Sequence, residues 1–351
     1  MTVLLEAKDV TKIFGGGVGA RTDTVALRHF TFAVDATRPS ITGVVGESGS
    51  GKSTMARLLL GLETPTTGSV LYEGHDLRSL RGAGRKRYRQ NVQAIFQDPF
   101  ESFNSLYKVD HVLEVPLQKF GLASSKGEAR RLMAAALLAV GLRPEETLGR
   151  YPHQLSGGQR QRIMVARALM LNPKLIIADE PVSMIDASLR AGVLASLRQL
   201  RDEYGISLVY ITHDLTTAYQ ICDDVIVLYR GSVAEAGNAT QVVKDPQHPY
   251  TQLLVSSIPL PDPDRLWAAE QPPSPLAVGA RVDRGCPFAA RCPHTMERCL
   301  EEAPPFFQVS PRRAAACYLH QDAPVLAFDR MNELLVHTSA LPAPAPDPTP
   351  A

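Results

Sequence analysis

Along the first two-thirds of the chain, short apolar runs alternate with stretches in which apolar positions recur every three to four residues. Five runs read as strands: "SITGVVG" (40–46), "VQAIFQ" (92–97), "KLIIADE" (174–180), "ISLVYIT" (206–212) and "DVIVLYR" (224–230). The last four are nearly all apolar, as strands buried on both faces of a sheet covered by crossover helices should be. Between residues 100 and 165 the strand signal disappears, and "KGEARRLMAAALLAVGL" carries apolar residues at helical spacing, which marks a helical insertion. After residue 258 the prolines of "IPLPDPDRLWAAEQPPSP" break helices and ladders alike and predict a linker. The closing "SALPAPAPDPTPA" reads as a disordered tail. The pattern predicts an α/β domain over 1–257 with a helical subdomain at about 98–165, a C-terminal extension over 258–335, and a tail over 336–351. No internal repeat is present.

Composition changes this picture in a few respects. The chain has 351 residues, with 37 Lys and Arg against 36 Asp and Glu, a formal charge of +1. That balance gives no electrostatic reason to expect nucleic acid as the main partner. There is no basic start followed by an apolar run, and no apolar stretch of about 18 residues that would cross a bilayer. The expectation is a soluble, cytoplasmic chain whose membrane role comes through partners. Of five cysteines, Cys222 stands alone and reads as a core residue, while Cys286, Cys292, Cys299 and Cys317 gather near the end. In a cytosolic chain such a gathering suggests metal before disulfide.

Four stretches carry candidate chemistry. In "GVVGESGSGKST" a strand runs into a loop of Gly46, Ser48, Gly49, Ser50 and Gly51, and then Lys52, Ser53 and Thr54 open a helix. Glycines let backbone N–H groups curl around phosphates, the helix start adds partial positive charge, Lys52 reaches the β- and γ-phosphates, and the Ser53 hydroxyl can ligate Mg²⁺. That motif alone also fits kinases and GTPases. "KLIIADEP" ends a strand on adjacent carboxylates whose side chains point opposite ways, so Asp179 is assigned to Mg²⁺ and Glu180 to an attacking water. "LVYITHD" places His213 at the carboxyl end of another strand, where ligands bind in open α/β sheets. The fourth stretch, "LSGGQ" (155–159), presents Ser156, Gly157 and Gly158 at the start of the predicted helix "GQRQRIMVARALM", a second phosphate cradle that one nucleotide does not need.

Together these residues resemble the ATPase subunit of an ATP-binding cassette (ABC) transporter, with motifs in that family's order over residues 1 to about 255. The resemblance implies an α/β P-loop NTPase fold of the ABC nucleotide-binding type, with a helical subdomain and a small cysteine-containing extension. It implies that "GESGSGKST" is Walker A, Gln97 in "FQDPF" the Q-loop, Ser156, Gly157, Gly158 and Gln159 the signature, "IIADE" Walker B, Asp186 the D-loop and His213 the switch histidine. In that family two ATPase units face head to tail, so each signature closes over ATP held by the other. The implied mechanism has Lys52 and Mg²⁺ neutralising phosphate charge, Glu180 polarising water, His213 on the γ-phosphate, and Gln97 contacting Mg²⁺ or water. Phe14 in "TKIF" is implied to stack on adenine, with a core role as the competing reading. One departure is "PVSMID", where many members have Thr for Val182 and Ala-Leu for Met184-Ile185; Asp186 is retained.

The gaps between the four clustered cysteines are five, six and seventeen residues, and none is the short knuckle of a structural zinc site. A [4Fe–4S] cluster, uncoordinated thiols and zinc remain three readings, in that order of preference. With "DPQHPYTQLLVSSIP", this module resembles the C-terminal extension of the oligopeptide and dipeptide branch of importers, some of which carry such a cluster. The branch implies cytoplasmic, peripheral attachment at the inner membrane, to two permease subunits served by an extracytoplasmic substrate-binding protein. It also implies a second ATPase subunit, either a related chain or a second copy. Related members move nickel or oligosaccharides, and a soluble ABC ATPase acting as a clamp without transport is the alternative from another class.

Overall fold

The computed structural model describes residues 2–15, 23–98, 103–258 and 284–335. The glycine-rich run after Gly15, the predicted linker and the C-terminal tail fall outside the described residues.

Five strands form one side of a nine-stranded sheet, with β6 at its edge: β3 (Ile41–Val45), β6 (Val92–Ile95), β7 (Leu175–Asp179), β8 (Ser207–Thr212) and β9 (Asp224–Tyr229). They run parallel in the order β9-β3-β8-β7-β6. Every residue of β3, β8 and β9 is buried, which is why their sequences are continuous apolar runs. The strand predicted over 92–97 stops at Ile95, where its pairing with β7 ends, and Phe96 turns out to the surface.

A second, four-stranded antiparallel sheet has the order β2 (Thr24–Asp35), β1 (Val3–Phe14), β4 (Thr67–Tyr72) and β5 (His75–Asp76). Between the two sheets lies a core that includes Leu5, Phe30, Val44, Met55, Leu58 and Ile211. Helices α1 (Lys52–Leu59) and α2 (Gly82–Asn91) follow β3 and precede β6.

The helical insertion consists of α3 (Asp110–Phe120), α4 (Lys126–Ala139), α5 (Pro144–Thr147) and α6 (Gly157–Leu169). Gly121, at φ 69°, ends α3 in the left-handed conformation that favours glycine. Ser125 caps α4 by accepting from the Glu128 N–H, and that helix buries Met133, Ala136 and Leu137 in a core shared with one face of the main sheet. Helices α7 (Ala187–Asp202) and α8 (Leu215–Ile221) cover the central strands from β7 and β8 onward.

Past β9 the sheet turns antiparallel. Strand β10 (Ser232–Asn238) pairs with β9 on one side and with β12 (Arg313–Ala315) on the other, and β11 (Phe306–Ser310) and β13 (Val325–Leu326) complete the edge. Residues 284–335 therefore continue the main sheet. Helices α9 (Ala239–Lys244), α10 (Pro249–Ser256) and α11 (Glu297–Glu301) pack over this end. The Asn332 side-chain oxygen accepts from the Ala33 N–H at 2.7 Å, which ties the last described turn to the four-stranded sheet.

Candidate functional site

Parallel pairing of β3 with β8 and of β8 with β7 brings three carboxyl ends side by side. From β3 emerges the glycine-rich loop, wedged between two backbone carbonyls. A Cβ on Gly46 (φ 153°) would lie 2.2 Å from the Leu228 oxygen, and one on Gly51 (φ 104°) would lie 2.3 Å from the Ala26 oxygen. Only glycine permits that approach and those φ values. Lys52, the first residue of α1, is buried, and its Nζ donates to the carbonyls of Gly46 (2.7 Å) and Glu47 (2.9 Å). Burial lowers the Lys52 pKa against the opposing charges of Glu180, Asp179 and Glu47. Ser48, Gly49, Ser53 and Thr54 line the exposed side of the turn, and Ser50 is buried beneath it.

From β7 come the two carboxylates. Burial pushes the Asp179 carboxyl above its ordinary value and Glu180 adds to the push, while a bond from the Ser53 hydroxyl and the charge of Lys52 pull it down. Asp179 Oδ1 is buried without a hydrogen-bond partner. A buried, unpaired carboxylate oxygen beside a serine hydroxyl and a phosphate-sized turn fits Mg²⁺, an oxygen-seeking cation that keeps substrate phosphate among its ligands. The next residue, Glu180, sits at φ 47°, a conformation that costs a non-glycine residue about 1–3 kcal/mol. Its N–H donates to the Ile211 carbonyl at 2.8 Å, and the Ser183 hydroxyl donates to its carbonyl at 3.0 Å, so the strained geometry is fixed from both sides. From β8 comes His213, whose Nδ1 lies 3.0 Å from Glu180 Oε1. The histidine is 58% exposed and the carboxylate 16%, so the pair opens to solvent on the histidine side.

The remaining predicted residues lie around this edge. Gln97 is exposed just beyond β6, where Arg167 Nη2 donates to Ala94 (2.8 Å) and Gln161 Nε2 to Phe96 (3.3 Å), tying the segment to α6. Ser156 caps α6: its Oγ accepts from the Gln159 N–H at 3.2 Å, while its own N–H donates to Gln159 Oε1 at 2.9 Å. Gly158 packs closely on Leu189, where a Cβ would come within 3.3 Å of Cδ1, so the start of α6 abuts the segment leading from Glu180 into α7. Asp186, the N-cap position of α7, is exposed, as is its neighbour Met184. Phe14, at the end of β1, is 40% exposed with Lys12 Nζ 4.8 Å from its ring centroid, which excludes a core role for it. The phosphate-loop residues, Asp179, Glu180 and His213 are thus brought together, while Ser156 and Asp186 are exposed at the start of their helices, with Gly157 and Gln159 half-buried and Gly158 buried.

Cys222 is a buried free thiol raised well above its usual value by burial, which fits a core residue. Cys286, Cys292, Cys299 and Cys317 are also free, and all four line one small cavity. Burial raises Cys286 to about 11 and Cys317 to about 12, and each feels the charges of other members of the group. Among the described residues no group of three or more His, Cys, Asp or Glu is arranged to hold a single metal ion. The donor set suits soft metal chemistry in kind, but binding must first strip protons that burial favours. Two residues not anticipated from sequence also reach the loop, Tyr250 and Arg291, both bonded to Glu47. The only sequence signal for them was Tyr250's place in the "HPYTQLL" stretch.

A parallel sheet ending in this loop, a carboxylate pair beside it and a capped glycine turn on a helical insertion define a nucleotide-hydrolysing P-loop cassette. Comparison with known proteins agrees. The ABC transporter family profile matches residues 30–183, and the profile of the oligopeptide/dipeptide transporter C-terminal region matches 234–299. A putative oligopeptide transport ATP-binding protein of Bacillus subtilis, YkfD, is 41% identical over 288 residues, covering 80% of this chain and 86% of the relative. The oligopeptide transport ATP-binding protein OppF of Salmonella typhimurium is 42% identical over 282 residues, covering 78% and 82%. Among solved structures, the dimeric post-hydrolysis cassette MJ0796 with ADP and Pi superposes with a TM-score of 0.60 at 29% identity, over 67% of this chain and 99% of that one. CbiO1 of Clostridium perfringens, part of the transporter complex cbiONQ, gives 0.60 at 26% identity, over 70% and 92%. The chain belongs to the ABC transporter ATPases, in the branch that carries the oligopeptide/dipeptide transporter C-terminal region. It is an ATP-binding, ATP-hydrolysing enzyme, and among its described residues no helix is long and apolar enough to cross a membrane.

Proposed function

We propose that the chain powers uptake of peptides, as the peripheral ATPase on the cytoplasmic face of a transporter containing two permease subunits and fed by an extracytoplasmic binding protein. The observation that carries the reading is the division of the nucleotide chemistry: one half is gathered at the strand ends, and the other half, the turn from Ser156 to Gln159, lies apart from it at the start of α6, with Ser156 exposed and Gly157 and Gln159 half-buried. A paired ATPase unit, a related chain or a second copy, would bring its own signature over this chain's ATP. Lys52 and the N–H groups of residues 46–54 bind the phosphates. Ser53, Asp179 and Gln97 are assigned to Mg²⁺, which when bound neutralises charge on the phosphates. Glu180 orients and polarises the attacking water, His213 holds the Glu180 carboxylate and contacts the γ-phosphate, Asp186 serves the paired interface, and Phe14 takes the adenine. Peptide as cargo is supported by the names of the relatives and by the C-terminal match.

Docking on a permease is supported by a surface groove on the insertion lined by Phe103, Tyr107, His111, Val112 and Val115, with Leu106 82% exposed beside it. The functional units are assigned as 1–257, with the helical subdomain at about 98–165, and 258–335, whose strands β11, β12 and β13 extend the main sheet. For the four clustered thiols, a [4Fe–4S] cluster is the reading supported by their convergence on one cavity and by their soft donor chemistry. Reconstitution of the complete complex in vesicles tests the transport reading: lumenal peptide-loaded binding protein should stimulate ATP hydrolysis and the release of peptide from the lumen together. Stimulation by oligosaccharide or nickel but not peptide would reassign the cargo, and hydrolysis indifferent to any permease would favour a soluble clamp.

A further inference from the structure

Every polar group of Glu47, the residue after Gly46 in the phosphate loop, is engaged. Its N–H donates to the Tyr250 hydroxyl at 2.8 Å. Its carbonyl accepts from Lys52 Nζ at 2.9 Å and from the Ser50 N–H at 3.2 Å. Its two carboxylate oxygens accept from Arg291 Nη1 at 3.1 and 2.9 Å. Two of these partners come from far down the chain. Tyr250 is wholly buried on α10. Arg291 lies between Cys286 and Cys292, in a tight turn closed by Ala289 N–H to Cys286 (3.0 Å), Arg291 N–H to Phe288 (3.0 Å) and Cys292 N–H to Ala289 (3.2 Å). Its guanidinium lies 5.6 Å from the Phe288 ring centroid and 6.0 Å from that of Tyr229. Those rings pack on Tyr250 with centroids 5.5 and 4.5 Å away. The aromatic shelf thus aims the guanidinium before it meets the carboxylate, a geometry that suits a planar, weakly hydrated cation.

We propose that Arg291 is a positioning residue of the nucleotide site: with Tyr250 it fixes Glu47, and through the Glu47 carbonyl it fixes Lys52, so the cysteine-bearing region completes the phosphate loop. The proposal rests on the reading of residues 46–54 as the ATP cradle. Any rearrangement of the turn from Cys286 to Cys292 then reaches Lys52 through a single residue. The side chains of Arg291 and Glu47 are 37% and 40% exposed, so the pair ranks with surface ion pairs, and the expected effect on ATP affinity is about three- to fivefold.

The test is ATP titration of the full-length chain, with KM and kcat measured in the complete transporter. Arg291→Ala and Glu47→Gln should each weaken ATP binding by about three- to fivefold. KM should rise more than kcat falls, and Arg291→Lys should recover part of the loss. The double variant should be no weaker than the poorer single, because both remove one interaction. Arg291→Ala also removes a stacked side chain, so Glu47→Gln, which leaves the aromatic shelf intact, carries the same expectation independently. Arg298, whose guanidinium lies 4.4 Å from the Tyr318 ring centroid in the same region, supplies the control: Arg298→Ala should bind ATP as the parent does. Unchanged affinity in both Arg291→Ala and Glu47→Gln, additive losses, or an equal loss in Arg298→Ala would overturn the proposal. A parent chain that bound no ATP would instead overturn the cradle reading beneath it.

Discussion

Ser156 has two candidate duties, and their magnitudes are far enough apart to be told apart by experiment. As the cap of α6 it makes two reciprocal bonds with Gln159, at 3.2 and 2.9 Å, at a solvent-exposed helix start. Losing such a cap costs about 1 kcal/mol, and a cation at the positive end of the helix adds a few tenths more. Helix α6 buries Ile163, Met164, Val165, Ala166, Ala168 and Leu169, so its position does not depend on the cap. As a donor to a γ-phosphate held by the paired unit, the same residue would be worth far more, since removing one preorganised donor to developing charge costs about 10²–10³ in turnover. Ser156→Arg should therefore lower the melting temperature by only about 2 °C. ATP affinity of the isolated subunit should stay within about twofold, while ATP hydrolysis by the assembled transporter falls at least about a hundredfold. Melting by circular dichroism, nucleotide titration of the subunit and phosphate release by the complex read the three quantities separately. Unimpaired turnover in the complex would refute the shared-site reasoning. A fall in turnover matched by an equal loss of ATP affinity in the isolated subunit would also do so, because it would place the effect in the chain's own cradle.

Glu180→Gln keeps the size of the side chain but removes the carboxylate that faces His213 at 3.0 Å, so turnover should fall by about 10²–10⁴ while an ATP-bound pair persists on a sizing column; normal turnover would withdraw its role. The two buried groups of the C-terminal end give a pH signature. Burial holds His248 at about 3, below its usual 6.5, so its contribution to stability is present above pH 6.5 and is lost as pH falls from there toward 3, by up to about 1.4 kcal/mol per unit. Burial raises Glu235 from 4.5 to about 7, so its contribution is present below pH 4.5 and is lost as pH rises toward 7. The two slopes offset one another between 4.5 and 6.5, and Glu235→Gln should turn that flat stretch of urea midpoints into a rise with pH; an unchanged profile would show that Glu235 does not titrate there. Anaerobically purified protein should be brown and contain iron that Cys292→Ser loses, whereas colourless, iron-free parent protein would reject the cluster.

What was legible in the sequence is what the chain writes contiguously. Five parallel strands and the residues at their ends could be placed because burial on both faces leaves apolar runs, and because the loop from Gly46 to Thr54 and the turn from Ser156 to Gln159 each carry their chemistry within ten residues. The four-stranded sheet was illegible for a physical reason. Its long strands shift register repeatedly, and Asp9 and His29, both near φ 47°, break the alternation on which strand recognition depends. The C-terminal edge strands escaped because β12 has three residues and β13 two, too few to show a period. The Arg291–Glu47 bond spans 244 positions and has no local signature at all.

The arrangement of these parts fits the proposal that a second ATPase unit completes the nucleotide site. On the strand-end side everything is already fixed: the loop is pinned by the Leu228 and Ala26 carbonyls, Lys52 by two carbonyls, and Glu180 by bonds on either side of a strained φ. Preorganisation of that kind leaves little to be gained within the chain when ATP binds. On the signature side the opposite holds, since Ser156, Asp186 and the 57%-exposed Met184 face solvent while the buried Gly158 packs closely on Leu189. A rigid, exposed surface that carries phosphate-binding groups but has no phosphate seat of its own is shaped to meet one supplied by another molecule. In that reading the free energy of closing two such faces over ATP is gained mainly across the interface, and hydrolysis, by removing the γ-phosphate that both faces share, releases it.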